Sequence, residues 1–340
     1  MLDLREKLYL AYLLLSLPIF LVVLLGNGSV ILVFSFSSDR FMLRLGPLFS
    51  ARALLDTLYI FLDLVVSVGN VAAVFWKACE VRRLSFEIEL ALYPFLNWFT
   101  AASPWLLVVV SVERLIAVQR PWTSRAKRHW LASPVALIVY VVVACFLLTV
   151  YGHWYYTIES QIDSATNETV FYYEGSKDGL VLFFGLIHAW WSVALPLALL
   201  IVLDTCLIVA LARWGRVRAE SGVADDGRRA SRHITLVTVC IVGSFLLFST
   251  PGTANHVYRS ICLELHDDCP LNAPFPVVLS QVGNLLLNVE KAAYFALFCC
   301  LCRRFRVALH LRLRNWETLR RLALLMRVAE KDGDVNVALP

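Results

Sequence analysis

Charged residues are scarce in this sequence, and their scarcity excludes most soluble folds. Only 17% of the 340 residues are charged, whereas 59% are hydrophobic. A soluble domain is closer to one quarter charged and one half apolar. A water-soluble fold of this size could not bury so much apolar surface, so we expect the lipid bilayer to surround most of the chain.

Catalytic signatures and internal repeats are also missing. The chain has no Gly-x-Ser-x-Gly, His-Glu-x-x-His or phosphate-loop motif, and its histidines are scattered. The paired repeats that many transporters show are not visible. We therefore expect no enzyme activity, no cofactor, no metal site and no nucleic-acid partner, and a transporter or channel is a weak alternative.

Long uncharged runs dominate instead. About 20 apolar residues at about 1.5 Å rise per residue cross the hydrocarbon core of a bilayer. Seven runs are long enough: 8–36, 47–75, 88–118, 131–153, 179–213, 232–259 and 274–301. We interpret the first as a retained helix rather than a signal peptide. The predicted fold is an all-α membrane protein, a seven-transmembrane helix bundle over residues 1–302.

The residues after the last run predict a different kind of helix. Segment 303–328 mixes Leu, Val and Trp with several arginines, which is typical of an amphipathic helix on an anionic inner leaflet. Membrane lipid is therefore an expected partner. Segment 329–340 is polar, and we expect it to be a disordered cytoplasmic tail.

The distribution of Lys and Arg predicts the orientation. With the N-terminus outside, the inner segments carry 19 of these residues and the outer segments carry 6. Positive residues concentrate on the cytoplasmic side of membrane proteins. The sequence therefore predicts a multi-pass plasma-membrane protein with an extracellular N-terminus. Asn167, in an Asn-Glu-Thr acceptor, then lies in the second outer loop as a glycosylation candidate.

The cysteines divide by predicted compartment. Cys79, Cys262 and Cys269 fall outside the membrane, where disulfides persist. A second group lies at the inner membrane edge beside two arginines, which suits either palmitoylation or plain interfacial thiols. That second group is Cys299, Cys300 and Cys302.

Short motifs at fixed depths carry a family resemblance. They are Gly26-Asn27, Ser50-Ala51-Arg52-Ala53-Leu54-Leu55-Asp56, Ser111-Val112-Glu113-Arg114-Leu115-Ile116-Ala117-Val118-Gln119-Arg120-Pro121-Trp122, Leu195-Pro196, Phe248-Ser249-Thr250-Pro251 and Arg303-Arg304-Phe305-Arg306. In this order and spacing the set resembles a rhodopsin-like (class A) G-protein-coupled receptor. Tyr93-Pro94 upstream of Ser103 is most similar to the invertebrate FMRFamide-receptor-like branch.

The resemblance implies a receptor that binds an extracellular ligand, such as a basic amidated neuropeptide, and activates a heterotrimeric G protein. A divergent chemosensory receptor for a small molecule is the alternative. A retinal-binding protein is disfavoured, because the alignment puts Asn288 rather than Lys291 at the retinal position.

The end of the third run predicts the G-protein contact. A membrane-embedded arginine is costly unless it is paired or faces a water-filled cleft. We expect Glu113 to hold Arg114 until a partner protein offers backbone carbonyls instead; an ordinary snorkelling arginine is the other reading. Pro121 and Trp122 follow, and Trp122 either packs into a G-protein groove or anchors the chain at the interface.

A second predicted site is an intramembrane polar switch. In the family an acid at the position of Asp56 binds sodium together with a serine that Ser103 matches. Here Lys291 falls at the sodium site, so we hypothesise that its ammonium replaces the ion and pairs with Asp56. The rival reading is that Lys291 pairs only locally. Glu290 faces about 100° away around the helix and is expected to make a different contact; Asn27 completes the set.

The ligand pocket is predicted in the outer half of the bundle. Its candidates share polar or aromatic side chains at the family's pocket-facing positions: Asp63, Tyr93, Asn97, Thr100, His188, Trp191, Thr253, His256, Gln281 and Asn284. Because an unneeded buried acid is expensive, Asp63 is the candidate counter-ion of a cationic ligand group. The acidic outer loops would also attract cations, including basic peptides.

The sequence departs from the family at its outer disulfide. The second outer loop has no cysteine, so the usual bridge to that loop cannot form. The options that remain are Cys262 with Cys269, or Cys79 with one of them. Such losses favour a divergent chemoreceptor or a weakly signalling member of the family.

Overall fold

The structure is a computed structural model, and nearly all of the residues that it describes are helical. It describes residues 4–35, 42–76, 78–119, 133–150, 156–162, 169–175, 179, 183–184, 187–188, 190–221, 226–265 and 274–314. The long helices are α1 (Leu4–Ser35), α2 (Met42–Trp76), α3 (Cys79–Gln119), α4 (Pro134–Thr149), α5 (Leu195–Ser221), α6 (Asp226–Leu265) and α7 (Pro274–Leu301). A short π-helix, Trp190–Ala194, leads into α5, and helix α8 spans 303–314.

The predicted membrane bundle is confirmed. Among the described residues, six helices are long and apolar enough to cross a membrane, and α4 is apolar but has only 16 residues. Large apolar side chains point outward from the helices: Leu25, Tyr140 and Leu247 are each about 70% exposed. A soluble protein rarely shows a continuous apolar surface of this kind, whereas a bilayer solvates it.

Helix α4 is shorter than the run that predicted it. Ser133 precedes Pro134 at the first helical turn, a position where proline fits because its missing N–H would be unpaired anyway. At the other end, the Thr149 hydroxyl donates to the carbonyls of Cys145 and Phe146. The rest of the predicted run, 131–132 and 151–153, lies outside the described residues.

Helix α3 begins at Cys79, nine residues before the predicted run 88–118. The first turns of this 41-residue helix are polar and are stabilised along the helix. Arg83 Nε contacts Glu87 Oε1 at 2.8 Å in an i,i+4 pair, and Ser85 Oγ donates to Asn70 Oδ1 at the end of α2. A polar helical extension of this kind is stabilised by local side-chain pairs and leaves no apolar run in the sequence.

A β-hairpin interrupts the all-α prediction. Strands β1 (Tyr156–Ile162) and β2 (Thr169–Gly175) pair antiparallel, with Tyr156 opposite Gly175 and Ile162 opposite Thr169. Both strands are rich in β-branched and aromatic residues, which favour strands. The hairpin packs on α3 through ring contacts of Tyr156 with Tyr93 and of Phe171 with Phe86.

Aromatic packing fixes α8 against the bundle. Phe305 is fully buried, and its ring contacts Phe34 of α1 and Phe298 of α7. Arg306 Nη1 donates to the carbonyls of Cys299 and Cys300 at 2.7 and 2.8 Å, which satisfies groups at the end of α7. We call this side, where α1, α3 and α7 finish, the Arg114 end, and the opposite side the Cys79 end.

Candidate functional site

One face of α2 carries four chemically active side chains. Spacings of four, three and four residues keep positions on the same side of a helix. Arg52, Asp56, Tyr59 and Asp63 follow this spacing. The face is directed at α7, which supplies Asn288, Glu290, Lys291 and Tyr294. Two polar groupings result, one near the middle of the bundle and one closer to the Cys79 end.

The first grouping, which we call the buried charge cluster, consists of Arg52, Asp56, Glu290 and Lys291. Arg52 lies at its centre: Nη2 donates to Glu290 Oε1 at 2.5 Å, and Nε donates to Ser103 Oγ at 3.1 Å. Its Nε is also 3.4 Å from Asp56 Oδ2. One guanidinium thereby joins α2, α3 and α7.

Lys291 provides the second cation of the cluster. Its Nζ lies 3.7 Å from Asp56 Oδ1 and 4.5 Å from the centre of the Tyr59 ring. The Arg52 guanidinium similarly lies 4.5 Å from the centre of the Tyr294 ring. Rings stabilise cations at these distances, most strongly where water is excluded. Each cation therefore faces both a carboxylate and a ring.

The cluster is neutral as a unit but is costly to divide. All four side chains are buried, with no more than 5% exposed. Two carboxylates balance two cations, so desolvation is offset only while all four are present. Removing any one group leaves an uncompensated charge inside the bundle. The cluster can therefore hold α2 and α7 in one relative position.

The second grouping, the polar triad, joins α1, α2 and α7. Tyr12 OH donates to Asp63 Oδ2 at 2.7 Å, and Asn288 Nδ2 donates to the same oxygen at 3.0 Å. Asn288 Nδ2 also lies 2.9 Å from Tyr12 OH. Asp63 is half-buried, and its carboxylate accepts hydrogen bonds from two uncharged side chains. The carboxylates of the buried charge cluster face cations instead.

The predicted switch residues come together only in part. Asp56, Ser103 and Glu290 contact Arg52, whereas Lys291 joins the group through Asp56. Glu290 therefore makes a different contact from Lys291, as its position around the helix suggests. Asn27 is buried apart from them, where its Nδ2 lies 3.3 Å from Thr57 Oγ1.

The predicted ligand-pocket residues are spread over several elements. Tyr93 packs against Tyr156 at a centroid distance of 5.5 Å. Trp191 stacks on Trp105 at 4.8 Å, and its carbonyl accepts from Trp105 Nε1. His188 is buried. Half-buried positions are Asn97, Thr100, Thr253, Gln281 and Asn284. The side chain of His256 lies outside the described residues.

The predicted G-protein and modification sites are only partly described. Glu113 and Arg114 are both buried near the end of α3. Cys79 is an exposed free thiol, Cys300 is exposed, and Cys299 and Cys302 are half-buried. Pro121, Trp122, Asn167, Cys269 and the side chain of Cys262 lie outside the described residues.

Arg52 is the main residue that sequence reasoning missed. It lies in the same motif as Asp56, and a role was predicted only for the aspartate. A usable signal was present: an arginine four residues before an aspartate, inside an otherwise uncharged run, is a pair that can meet on one helix face. Tyr12 was missed for a different reason, since a hydroxyl in an apolar run carries no spacing signal.

The model of a known family covers the whole of the buried charge cluster. The family model described as "Serpentine type 7TM GPCR chemoreceptor Srw" matches residues 51–309. A Caenorhabditis elegans protein named "Putative G-protein coupled receptor F59B2.13" is 23% identical over 311 residues, with 84% of this chain and 70% of that protein covered.

Proposed function

Because the chain belongs to the Srw family of serpentine seven-transmembrane G-protein-coupled chemoreceptors, we propose that it is a plasma-membrane chemoreceptor. It takes up its ligand at the Cys79 end, which is extracellular, and activates a heterotrimeric G protein at the Arg114 end. The excess of Lys and Arg in the segments at the Arg114 end supports this orientation.

The observation that carries the proposal is the buried Glu113-Arg114 pair near the end of α3. Both residues are less than one tenth exposed. A charged pair that is kept inside a membrane bundle is a functional-site candidate by default, because apolar residues would be cheaper there. At this end of the bundle, the arginine is placed to meet a cytoplasmic partner once the helices separate.

The polar triad and the buried charge cluster support a route from ligand to G protein. They follow one another along α2 and α7, with Lys291 one turn beyond Asn288. A ligand that displaces a donor from Asp63 would disturb α7 next to Lys291, whose ion pair with Asp56 is the looser contact of the cluster. Movement of α7 against α2 would then reach the Arg114 end.

The proposed ligand carries a positive charge. The described residues of the polar triad and the buried charge cluster include three carboxylates and two cations. Asp63 is the carboxylate among them that has no cation within 4 Å. A ligand ammonium would balance it. A small amine agrees best with a chemoreceptor family. A basic amidated peptide as the ligand stays a prediction. Membership of the FMRFamide-receptor-like branch also stays a prediction, because the family match tests neither of them.

Ligand-stimulated guanine-nucleotide exchange tests the proposal. Membranes that contain the full chain would be challenged with a panel of small amines and a panel of amidated peptides. We expect a response to at least one amine, and its loss in Arg114→Ala. Arg83→Ala is the matched control, since Arg83 is an exposed arginine of the same helix, and it should respond like the wild type.

The outcomes separate the parts of the proposal. A response only to peptides would overturn the small-amine ligand and leave the receptor function in place. A response that survives Arg114→Ala at normal surface expression would overturn the assigned role of the Glu113-Arg114 pair.

A further inference from the structure

The amide of Asn288 in α7 is satisfied at its nitrogen but not at its oxygen. Asn288 is fully buried, and its Nδ2 carries two N–H bonds. One donates to Asp63 Oδ2 at 3.0 Å and the other to Tyr12 OH at 2.9 Å. The reverse orientation of the amide would point an oxygen at the Asp63 carboxylate, so these two contacts fix its direction. The Asn288 Oδ1 atom is left buried, with no hydrogen-bond partner among the described residues.

A second acceptor lies beside this oxygen. Both described donors to the Asp63 side chain reach Oδ2, so its Oδ1 receives no hydrogen bond from the described residues. Amide geometry places Asn288 Oδ1 roughly 4–5 Å from Asp63 Oδ2. A tetrahedral nitrogen with N–H···O contacts of about 2.9 Å spans acceptors about 4.7 Å apart. One ammonium group can therefore bridge the Asp63 carboxylate and the Asn288 carbonyl oxygen.

The aromatic rings near this site do not form a cage for a fully methylated ammonium. Such ligands bind to the faces of aromatic rings. The Tyr59 ring already faces Lys291 Nζ at 4.5 Å, and Tyr12 presents its hydroxyl to Asp63 at 2.7 Å. The groups that would receive a ligand cation here are oxygen acceptors, and these require N–H donors.

We infer that Asn288 is a specificity-determining residue, which selects ligands whose ammonium group carries at least two N–H bonds. One of them donates to the Asp63 carboxylate and the other to Asn288 Oδ1. This inference rests on the proposed function, because it places the ligand cation at Asp63. Primary and secondary amines meet the requirement. Tertiary amines leave one buried acceptor unsatisfied and quaternary ammonium ions leave both, so affinity breaks between the secondary and the tertiary class.

The test measures binding of methylammonium, dimethylammonium, trimethylammonium and tetramethylammonium to the purified full-length receptor. Dissociation constants follow from the rise of the unfolding temperature with probe concentration, while potassium chloride holds the ionic strength constant. Concentrations up to about 100 mM are needed, because ligands this small bind in the millimolar range.

The wild-type receptor should divide the four probes into two groups. We expect methylammonium and dimethylammonium to bind within about threefold of each other, because both supply two N–H bonds. Trimethylammonium should bind at least about fivefold more weakly. Tetramethylammonium should stabilise the wild type no more than it stabilises Asp63→Asn.

Three variants assign this step to the site. Asn288→Leu has a similar shape but no acceptor, so the step should disappear and dimethylammonium should bind as weakly as trimethylammonium. Val282→Ala is the matched control on α7, since Val282 is 44% exposed on the outer side of that helix, and it should keep the step. Asp63→Asn should abolish specific stabilisation by all four probes.

The outcomes distinguish this inference from the proposed function. Equal affinities across the wild-type series, or a step that survives in Asn288→Leu, would overturn the inference and leave a cationic ligand at Asp63 in place. The wild-type series is sufficient for this decision if Asn288→Leu does not fold. Probes that stabilise the wild type no more than Asp63→Asn would overturn both the inference and the role of Asp63 as the counter-ion. The receptor function is tested separately, by nucleotide exchange with Arg114→Ala.

Discussion

The Arg52–Glu290 ion pair offers the sharpest test of the buried charge cluster. Glu290→Gln keeps the shape of the side chain but leaves the cluster with two cations and one carboxylate. Unit charges about 4 Å apart at an effective dielectric constant of about 20 attract by about 4 kcal/mol. Breaking a buried pair by removing one partner typically costs about 3–5 kcal/mol. We expect Glu290→Gln to lower the apparent unfolding temperature by roughly 5–10 °C.

The assay is thermal unfolding of the purified receptor in detergent, followed with a thiol-reactive dye that reports exposure of the buried Cys145. Glu87→Gln is the matched control. Its partner Arg83 is equally close, at 2.8 Å, but the two side chains are 47% and 68% exposed. An exposed pair is worth about 0.2–1 kcal/mol, so this control should shift by no more than about 2 °C.

A double variant checks the reasoning behind the magnitude. Arg52→Met with Glu290→Met removes both charges of the pair and replaces them with apolar side chains. It should be more stable than either single variant, because no unpaired member of that pair remains. If Glu290→Gln shifts no more than Glu87→Gln, or if the costs of the two single variants simply add, the cluster is not a coupled unit.

Two further predictions concern contacts of α7. Wild-type signalling should not respond to sodium if, as we propose, the Lys291 ammonium beside Asp56 takes the place of the ion. Lys291→Ala leaves Asp56 with one cation fewer, and replacing potassium by sodium should then change G-protein activation. An unchanged response in both forms would refute the substitution of lysine for the ion. Gly283→Ala should destabilise the receptor by about 1–3 kcal/mol, since its Cβ would lie 2.8 Å from the Cα of Gly252 where α6 and α7 meet. Gly28→Ala is the control, because a Cβ at that position would have no neighbour within 4 Å. Equal unfolding temperatures for the two variants would contradict the prediction.

Hydrophobic runs predicted the bundle well because membrane helices are defined by solvation. The seventh predicted run, 274–301, coincides with α7. The same criterion failed at the start of α3 and in the hairpin of β1 and β2. These segments are stabilised by local pairs and by packing on neighbouring elements, and neither effect produces a long apolar run.

The site was harder to predict because its contacts connect distant parts of the chain. The spacing of Lys291 and Glu290 around α7 indicated that they would make different contacts. The partner of Glu290 is 238 positions away, however, and only the packing of α2 against α7 brings Arg52 to it. Asp63 was predicted to be the counter-ion of a ligand, but the donors that contact its carboxylate come from α1 and α7 and were not predicted. Single-sequence patterns indicate which groups are costly to bury, not which groups satisfy them.

The most direct test of the central claim is the response of a receptor–G-protein complex to nucleotide. The full chain would be purified from membranes that contain a heterotrimer and no nucleotide, and the bound Gα subunit would be measured before and after a non-hydrolysable GTP analogue is added. We predict that Gα copurifies with the wild type, is released by the analogue, and is absent with Arg114→Ala. The chain does not act as a G-protein-coupled receptor if none of the heterotrimer classes copurifies with a folded receptor. The same conclusion follows if the amount of bound Gα is unchanged when the GTP analogue is added.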